Sequence, residues 1–138
     1  MNDIEKACDI LQQNHYTCVF CKGDAVLTDS RRGVKPLLDL LDCNTNVSGF
    51  SVADKVVGKA AAYLYCLLGI ETLHAFVISQ SALSVLREHG ITVSYGHLVP
   101  GIRNRTDTGP CPMEHAVLNV AKPEDALLAI RKTLQDLS

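Results

Sequence analysis

The fold is decided by the stretch Ser51-Val-Ala-Asp-Lys-Val-Val-Gly-Lys-Ala-Ala-Ala-Tyr-Leu64. Its apolar residues recur at helical spacing and continue to Leu68, which predicts one long helix packed against a sheet. Ser51, followed by Asp54 three residues later, has the pattern of a helix start. The serine oxygen would accept an orphan backbone N–H there, and the carboxylate would lie at the positive end of the helix.

Four residues of this stretch are not needed by a core helix, and they are candidate site residues: Asp54, Lys55, Gly58 and Lys59. The two lysines are one helical turn apart and would share a face outside the apolar stripe. Gly58 would cost a helix interior about 1 kcal/mol relative to alanine. Either a neighbouring element packs closely against it or a ligand approaches the backbone there.

Composition excludes several classes of protein. At 138 residues and 47% hydrophobic, the chain is expected to form a single domain, 1–138, with an ordinary core. The formal net charge is -2, and the basic residues are scattered apart from Arg31-Arg32 and Arg103-Asn104-Arg105, so we expect no nucleic acid partner. The N-terminus lacks the pattern of a secretory signal, and no apolar run approaches the roughly 18 residues of a membrane helix. We expect a cytoplasmic protein without a membrane partner.

Six cysteines stand at positions 8, 18, 21, 43, 66 and 111. Without an export signal they are expected to be reduced thiols, mostly buried as small apolar side chains. Cys18 and Cys21 have the spacing of a metal or redox pair, but residues three apart on a strand point to opposite faces. Structural zinc sites need four converging ligands. The sequence therefore predicts neither a metal nor a cofactor.

The element order indicates an α/β protein. Patterns along the chain predict a helix over 2–13, a hairpin over 16–28, a short helix near 36–41, the helix of the Asp54 stretch, a central strand over 73–79, a helix ending at 90, a strand over 91–95, a short helix over 112–120 and a last helix opening at 122–125. This order predicts a three-layer α/β/α domain with a mixed sheet. The polar loop from His97 to Pro110 has no periodicity, and long loops in compact domains are often functional.

Cys111 differs from the other cysteines because Pro112 follows it. Proline favours the first position of a helix, so Cys111 is predicted at the N-cap, where the helix end and nearby Arg103 and Arg105 would favour a thiolate. Glu114 would then close a capping box onto the Cys111 backbone or act as an acid/base beside the thiol. An ordinary cap and a reactive thiol both remain open.

Three motifs carry a resemblance to a known family: Gly33-Val-Lys-Pro-Leu37, Asp54-Lys-Val-Val-Gly-Lys-Ala-Ala-Ala62 and Thr108-Gly-Pro-Cys-Pro-Met-Glu114. They resemble an uncharacterised bacterial domain-of-unknown-function family that forms a divergent branch of the cytidine deaminase-like superfamily. The resemblance spans residues 4–120 and implies the cytidine deaminase-like fold. It implies no assigned reaction.

The resemblance also implies where a zinc site would be, and the motifs for it are missing. Deaminases of this fold bind Zn²⁺ through H-x-E and P-C-x-x-C motifs. None of the five histidines is followed two residues later by Glu, and the first-ligand region reads Ala53-Asp54-Lys55. The next helix start reads Ser79-Gln80-Ser81, and Pro110-Cys111 has Glu114 where a partner cysteine would stand. Zinc-dependent deamination is therefore not predicted.

Three hypotheses about function follow. If the fold is correct, the start of the Asp54 helix lies at the ends of the central strands, where ligands bind in such sheets. The first hypothesis is an anionic or nucleotide-like small-molecule ligand, with these ligand-binding residues: Lys55, Gly58, Lys59, Arg103 and Arg105. The second is an enzyme in which a Cys111 thiolate attacks the substrate while Glu114 or Asp54 moves the proton. The third is a non-catalytic homo-oligomeric interaction module that associates through the C-terminal helix or an exposed strand edge.

Overall fold

The computed structural model describes residues 1–103, 109 and 111–137. The described elements are α1 (Asp3–Gln13), β1 (Cys18–Lys22), β2 (Ala25–Asp29), α2 (Lys35–Asp42), β3 (Ser51–Val57), α3 (Lys59–Leu68), β4 (Thr72–Ser79), α4 (Gln80–Glu88), β5 (Thr92–Val99), α5 (Pro112–Ala116) and α6 (Pro123–Leu137). The hairpin, the strand, helix, strand unit and the final helices follow the predicted order.

The five strands form one sheet in the order β2-β1-β3-β4-β5. Strand β1 runs antiparallel to both β2 and β3, whereas β3, β4 and β5 are parallel. Helix α1 packs on one face, and α3 packs on the other face together with α2, α4, α5 and α6. The predicted α/β class with a mixed sheet between helical layers is confirmed.

The prediction of one long helix across the 51–64 stretch is wrong in its first half. Residues 51–57 form strand β3, and α3 begins only at Lys59. A strand with both faces covered has an almost continuous apolar run, and its sequence resembles that of a buried helix. Ser51 is therefore not a helix cap. Lys55 and Lys59 lie on different elements rather than on one helix face.

The glycine of this stretch also takes a different position. Gly58 is the N-cap of α3, with an extended backbone (φ -99°, ψ -179°), and not an interior helix residue. Two other differences concern the following loop. Strand β5 continues to Val99, so the loop begins after it. Arg105 lies outside the described residues.

The core is built around α3, whose residues from Ala60 to Tyr65 are all buried. The two cysteines of the hairpin lie on opposite faces of the sheet, as predicted. Cys18 belongs to the cluster on the α3 face, and Cys21 belongs to the cluster beneath α1. These two thiols therefore do not form a metal or redox pair.

Candidate functional site

The carboxylate of Glu114 occupies the start of α3. The backbone N–H of Lys59 donates to Glu114 Oε1 at 2.7 Å, and the N–H of Ala60 donates to Oε2 at 2.9 Å. These are two of the orphan N–H groups that any helix start exposes, and a negative charge is favourable at this end of the helix dipole. The end of β3, where the sequence predicted a ligand, is thus filled by a side chain of the protein itself.

Gly58 allows this contact. A Cβ atom at position 58 would overlap the carboxyl group of Glu114. Of the two explanations for this glycine, close packing of a neighbouring element is therefore the one that the structure supports. That element is α5, which carries Glu114.

Further contacts fasten residues 111–120, which we call the clasp segment, to the first turns of α3. Lys59 Nζ donates to the carbonyl oxygen of Leu118 at 3.1 Å and lies 5.7 Å from the centre of the Tyr63 ring. The Tyr63 hydroxyl donates to the carbonyl oxygen of Val120 at 2.8 Å. Lys59 therefore faces a backbone carbonyl and an aromatic ring rather than an open cavity.

The structure confirms Cys111 as the N-cap residue of α5, with Pro112 in the first turn. The expected capping box is wrong, because Glu114 bonds the start of α3 and not the Cys111 backbone. The Cys111 N–H donates instead to the carbonyl oxygen of Ile102 at 3.0 Å, and its thiol is half-buried against the core. The other predicted cation nearby, Arg103, is exposed.

Asp54 belongs to a different cluster, on strand β3. Its Oδ2 accepts a hydrogen bond from the Tyr65 hydroxyl at 2.5 Å, and its Oδ1 accepts one from the Val56 N–H at 3.2 Å. Cys18 lies directly opposite on β1. Burial raises the pKa of Asp54 to about 7, and the hydrogen bonds oppose this shift only in part.

The same burial keeps the neighbours of Asp54 neutral. It raises the pKa of the Cys18 thiol and of the Tyr65 hydroxyl well above their usual values, and the Asp54 charge raises both further. Cys18 and Tyr65 are fully buried. Tyr65 was not predicted as a site residue, because its place in an apolar helical run gives no sign of a polar partner. This polar cluster lies between β1, β3 and α3, and its Asp54 is partly buried.

Lys55 is not part of either cluster. It is exposed on β3, and adjacent residues of a strand point to opposite faces, so its side chain lies away from that of Asp54. Of the predicted site residues, the structure brings together Gly58, Lys59 and Glu114. Asp54 and Lys55 do not join them as ligand-binding groups on one helix.

Two depressions on the described surface lie away from these residues. One, of about 350 Å³, is an open depression lined by Arg31, Lys35, Leu38, Asp39, Asp42, Arg131, Leu134 and Gln135. Its two arginines bond carboxylates at 2.7 Å, Arg31 to Asp39 and Arg131 to Asp42. Another, of about 230 Å³, lies against α2 and α3 and is lined by Leu40, Leu41, Asn44, Thr45, Asn46, Val47, Leu67 and Leu68. Neither contains a predicted site residue.

The described part of the chain also bears on two other features, a metal site and a membrane-spanning helix. Within it, no group of three or more His, Cys, Asp or Glu side chains is placed to hold a metal ion. No helix there is long and apolar enough to cross a membrane.

Comparison with known proteins identifies a family for this chain. The family model described as "Domain of unknown function (DUF1893)" matches residues 6–134. The crystal structure of a DUF1893 family protein from Thermotoga maritima is 30% identical, with a TM-score of 0.86 over 98% of this chain and 90% of that chain. No curated protein matches the sequence.

A second solved structure is similar over a smaller part. It is a diaminohydroxyphosphoribosylaminopyrimidine deaminase/5-amino-6-(5-phosphoribosylamino)uracil reductase, also from Thermotoga maritima. The identity is 14% and the TM-score 0.43, over 68% of this chain and 35% of that chain. A likeness at this level carries no argument about activity, and the branch of the cytidine deaminase-like superfamily stays a prediction.

Proposed function

This chain belongs to the DUF1893 family, and we propose that it is a non-catalytic homo-oligomeric interaction module whose copies associate through strand β5. We further propose that it acts in the cytoplasm as one domain, residues 1–138. The observation that carries the proposal is the sheet edge at β5. Six of the eight residues from Thr92 to Val99 are exposed, and none of the eight is Asp, Glu, Lys or Arg.

An edge strand of this kind normally needs protection. Its outer row of N–H and C=O groups is a template for pairing with another strand, and soluble proteins block such edges with charged residues, proline or bulges. Within residues 1–103, 109 and 111–137, no strand pairs with the outer edge of β5. Addition of a strand from a second copy would satisfy these groups.

The alternative surface, the C-terminal helix, is less suited to association. Helix α6 packs against α3 and buries Ala126 and Ile130 in the core. Most of its apolar face is therefore used within the chain. Leu128 and Leu137 stay exposed, but their spacing along the helix places them on different faces, so they form no common surface. Deletion of residues 122–138 would expose the core and would not test association.

The other two hypotheses remain predictions with less support. An anionic ligand at the start of α3 would have to displace Glu114, which already satisfies Lys59 N and Ala60 N. A nucleophilic Cys111 would act from a half-buried position packed against the core. Neither Glu114 nor Cys111 lines either of the two depressions described above.

Matched lysine substitutions on the two sheet edges test the proposal. Tyr95→Lys and Leu98→Lys place a charge on β5, and Val26→Lys places one on β2 at nearly the same side-chain exposure (38%, 41% and 37%). Sedimentation velocity over a concentration series should give a dimer for the natural chain and for Val26→Lys. The two β5 variants should raise the dissociation constant at least tenfold, which corresponds to about 1.4 kcal/mol.

Two results would contradict this proposal. The natural chain could sediment as a monomer at every concentration. Alternatively, Val26→Lys could weaken association as much as the β5 variants do. Circular dichroism of all three variants controls for loss of the fold.

A further inference from the structure

We propose that two copies pair their β5 strands antiparallel, about a two-fold axis that lies midway between the two Tyr95 residues. This inference rests on the proposed function, and it specifies the partner and the register. The partner is a second copy of this chain. Its Thr92 would lie opposite Leu98, and the two Tyr95 residues would lie opposite each other.

Self-pairing is favoured by the composition of β5. In an antiparallel two-fold pair each residue meets a residue of its own strand, so any charged position risks placing like charges opposite each other or next to each other. Strand β5 contains no Asp, Glu, Lys or Arg. Its outer edge therefore meets no charge repulsion from an identical edge, whereas an oppositely charged partner would find nothing to recognise.

The alternation of side chains restricts the register. Directly opposite residues of an antiparallel pair point to the same face, and a two-fold axis perpendicular to the sheet keeps every residue on its own face. Each residue must therefore pair with one an even number of positions away. The axis then lies midway between the two copies of one and the same residue. Near the middle of Thr92–Val99, the candidates are Tyr95 and Gly96.

Tyr95 is the better centre for the axis. A cross-strand pair of aromatic side chains stabilises an antiparallel sheet, whereas a glycine pair has no side chains in contact. The glycine at position 96 is also explained by packing within the chain. A Cβ atom there would lie 2.8 Å from the carbonyl oxygen of Phe76 on the neighbouring strand β4, so the glycine serves packing within the chain.

Cysteine cross-linking tests this register. Tyr95→Cys is made in a Cys43→Ser background, which removes the exposed natural thiol. Opposite residues have Cα atoms about 4.5 to 5.5 Å apart, within the range that a disulfide bridges. If the axis passed through Gly96, the two 95 positions would be diagonal neighbours about 8 Å apart, beyond that range. Val26→Cys in the same background is the matched control.

Under mild oxidation with oxidised glutathione, Tyr95→Cys should become mostly a dimer that dithiothreitol reverses, while Val26→Cys stays monomeric on a denaturing gel. The two thiols give up two protons and two electrons to one oxidised glutathione, which leaves as two molecules of reduced glutathione. Absence of the cross-link in a protein that still sediments as a dimer would overturn the register but leave the proposed function intact. Equal cross-linking of Val26→Cys would also overturn it. A natural chain that is monomeric would instead overturn the proposed function.

Discussion

The two edges of the sheet are built differently. Strand β2 has five residues and ends at Asp29, which forms an ion pair with Arg31 at 2.8 Å. Its hairpin turn contains Asp24 and follows Lys22. The hydroxyl of Thr17 ties the end of β2 further, because it donates to backbone carbonyls there. Strand β5 has eight residues and no charge. The protein thus protects one edge by short length and charge and leaves the other available for pairing.

Both edges belong to one sheet, which the packing of α3 stabilises. The largest expected change in stability comes from a substitution that disturbs the start of α3. Gly58→Ala would displace the Glu114 carboxylate, so that the N–H groups of Lys59 and Ala60 lose their acceptor. We expect this loss to lower the free energy of unfolding by about 2–4 kcal/mol. Urea denaturation measures the change. Gly101→Ala is the control, because nothing lies within 4 Å of a Cβ at that position.

A double variant identifies the cause. In a Glu114→Ala background the clash is absent, so Gly58→Ala should cost clearly less than it does in the natural chain. Equal costs in the two backgrounds would contradict the assignment of Gly58 to the contact with Glu114.

The second effect is a pH dependence of the free energy of unfolding, and it comes from the β1–β3 half of the sheet and not from β5. The pKa of Asp54, about 7 in the folded protein, lies above its usual value of 3.8, so the folded state binds the proton more tightly than the unfolded state. This contribution to stability is fully present below about pH 4 and is lost as pH rises through 7, by about 2–4 kcal/mol in all.

Asp54→Asn should therefore flatten the decline in stability between pH 4 and pH 8, and should be the more stable protein at pH 8. Denaturation curves at several pH values measure this difference. Asp24→Asn, in the exposed hairpin turn, should leave the decline unchanged. An unchanged decline in Asp54→Asn would show that another group is responsible.

The third effect is a difference in alkylation rate between a half-buried thiol and an exposed one. Cys111 is half-buried at the first position of the clasp segment, and Cys43 is exposed at the end of α2. Iodoacetamide at pH 7 should alkylate Cys111 several-fold more slowly than Cys43, as followed by peptide mass spectrometry. Faster reaction of Cys111 would support the nucleophile hypothesis and count against a non-catalytic module.

The smallest effect should be that of salt on association. Because β5 has no charged residue, the dimer dissociation constant should change less than about twofold between 0.05 and 0.5 M NaCl. Sedimentation equilibrium is the measurement. A tenfold change would locate the interface at a charged surface, such as the depression lined by Arg31 and Arg131.

Much of this fold can be predicted from sequence because most elements have one clear signal. The hairpin around Gly23, the cap at Cys111 and the final helix are each specified by local residues. The 51–57 stretch has two compatible interpretations, because a short apolar run suits a buried strand as well as a helix. Its pairing with β1 and β4 decides between them, and that pairing involves residues distant in the sequence.

The candidate site was less predictable for the same reason. Lys59 and Glu114 were both singled out from the sequence, but in separate hypotheses, and local rules assigned Glu114 to its own helix. The structure uses it for α3, because the docking of α5 brings its carboxylate to a helix start that has no other side-chain cap. The Asp54–Tyr65 hydrogen bond had no signal at all, since an apolar helical run gives no reason to single out one tyrosine.

The contact between Glu114 and α3 also has a consequence for the order of folding during synthesis. The two hydrogen bonds join residues 55 and 54 positions apart, and they complete the helix at the centre of the core. While the ribosome is still making the segment that contains Glu114, α3 has a bare first turn and an uncovered side. The nascent chain therefore gains these two hydrogen bonds only after the segment that contains Glu114 has emerged.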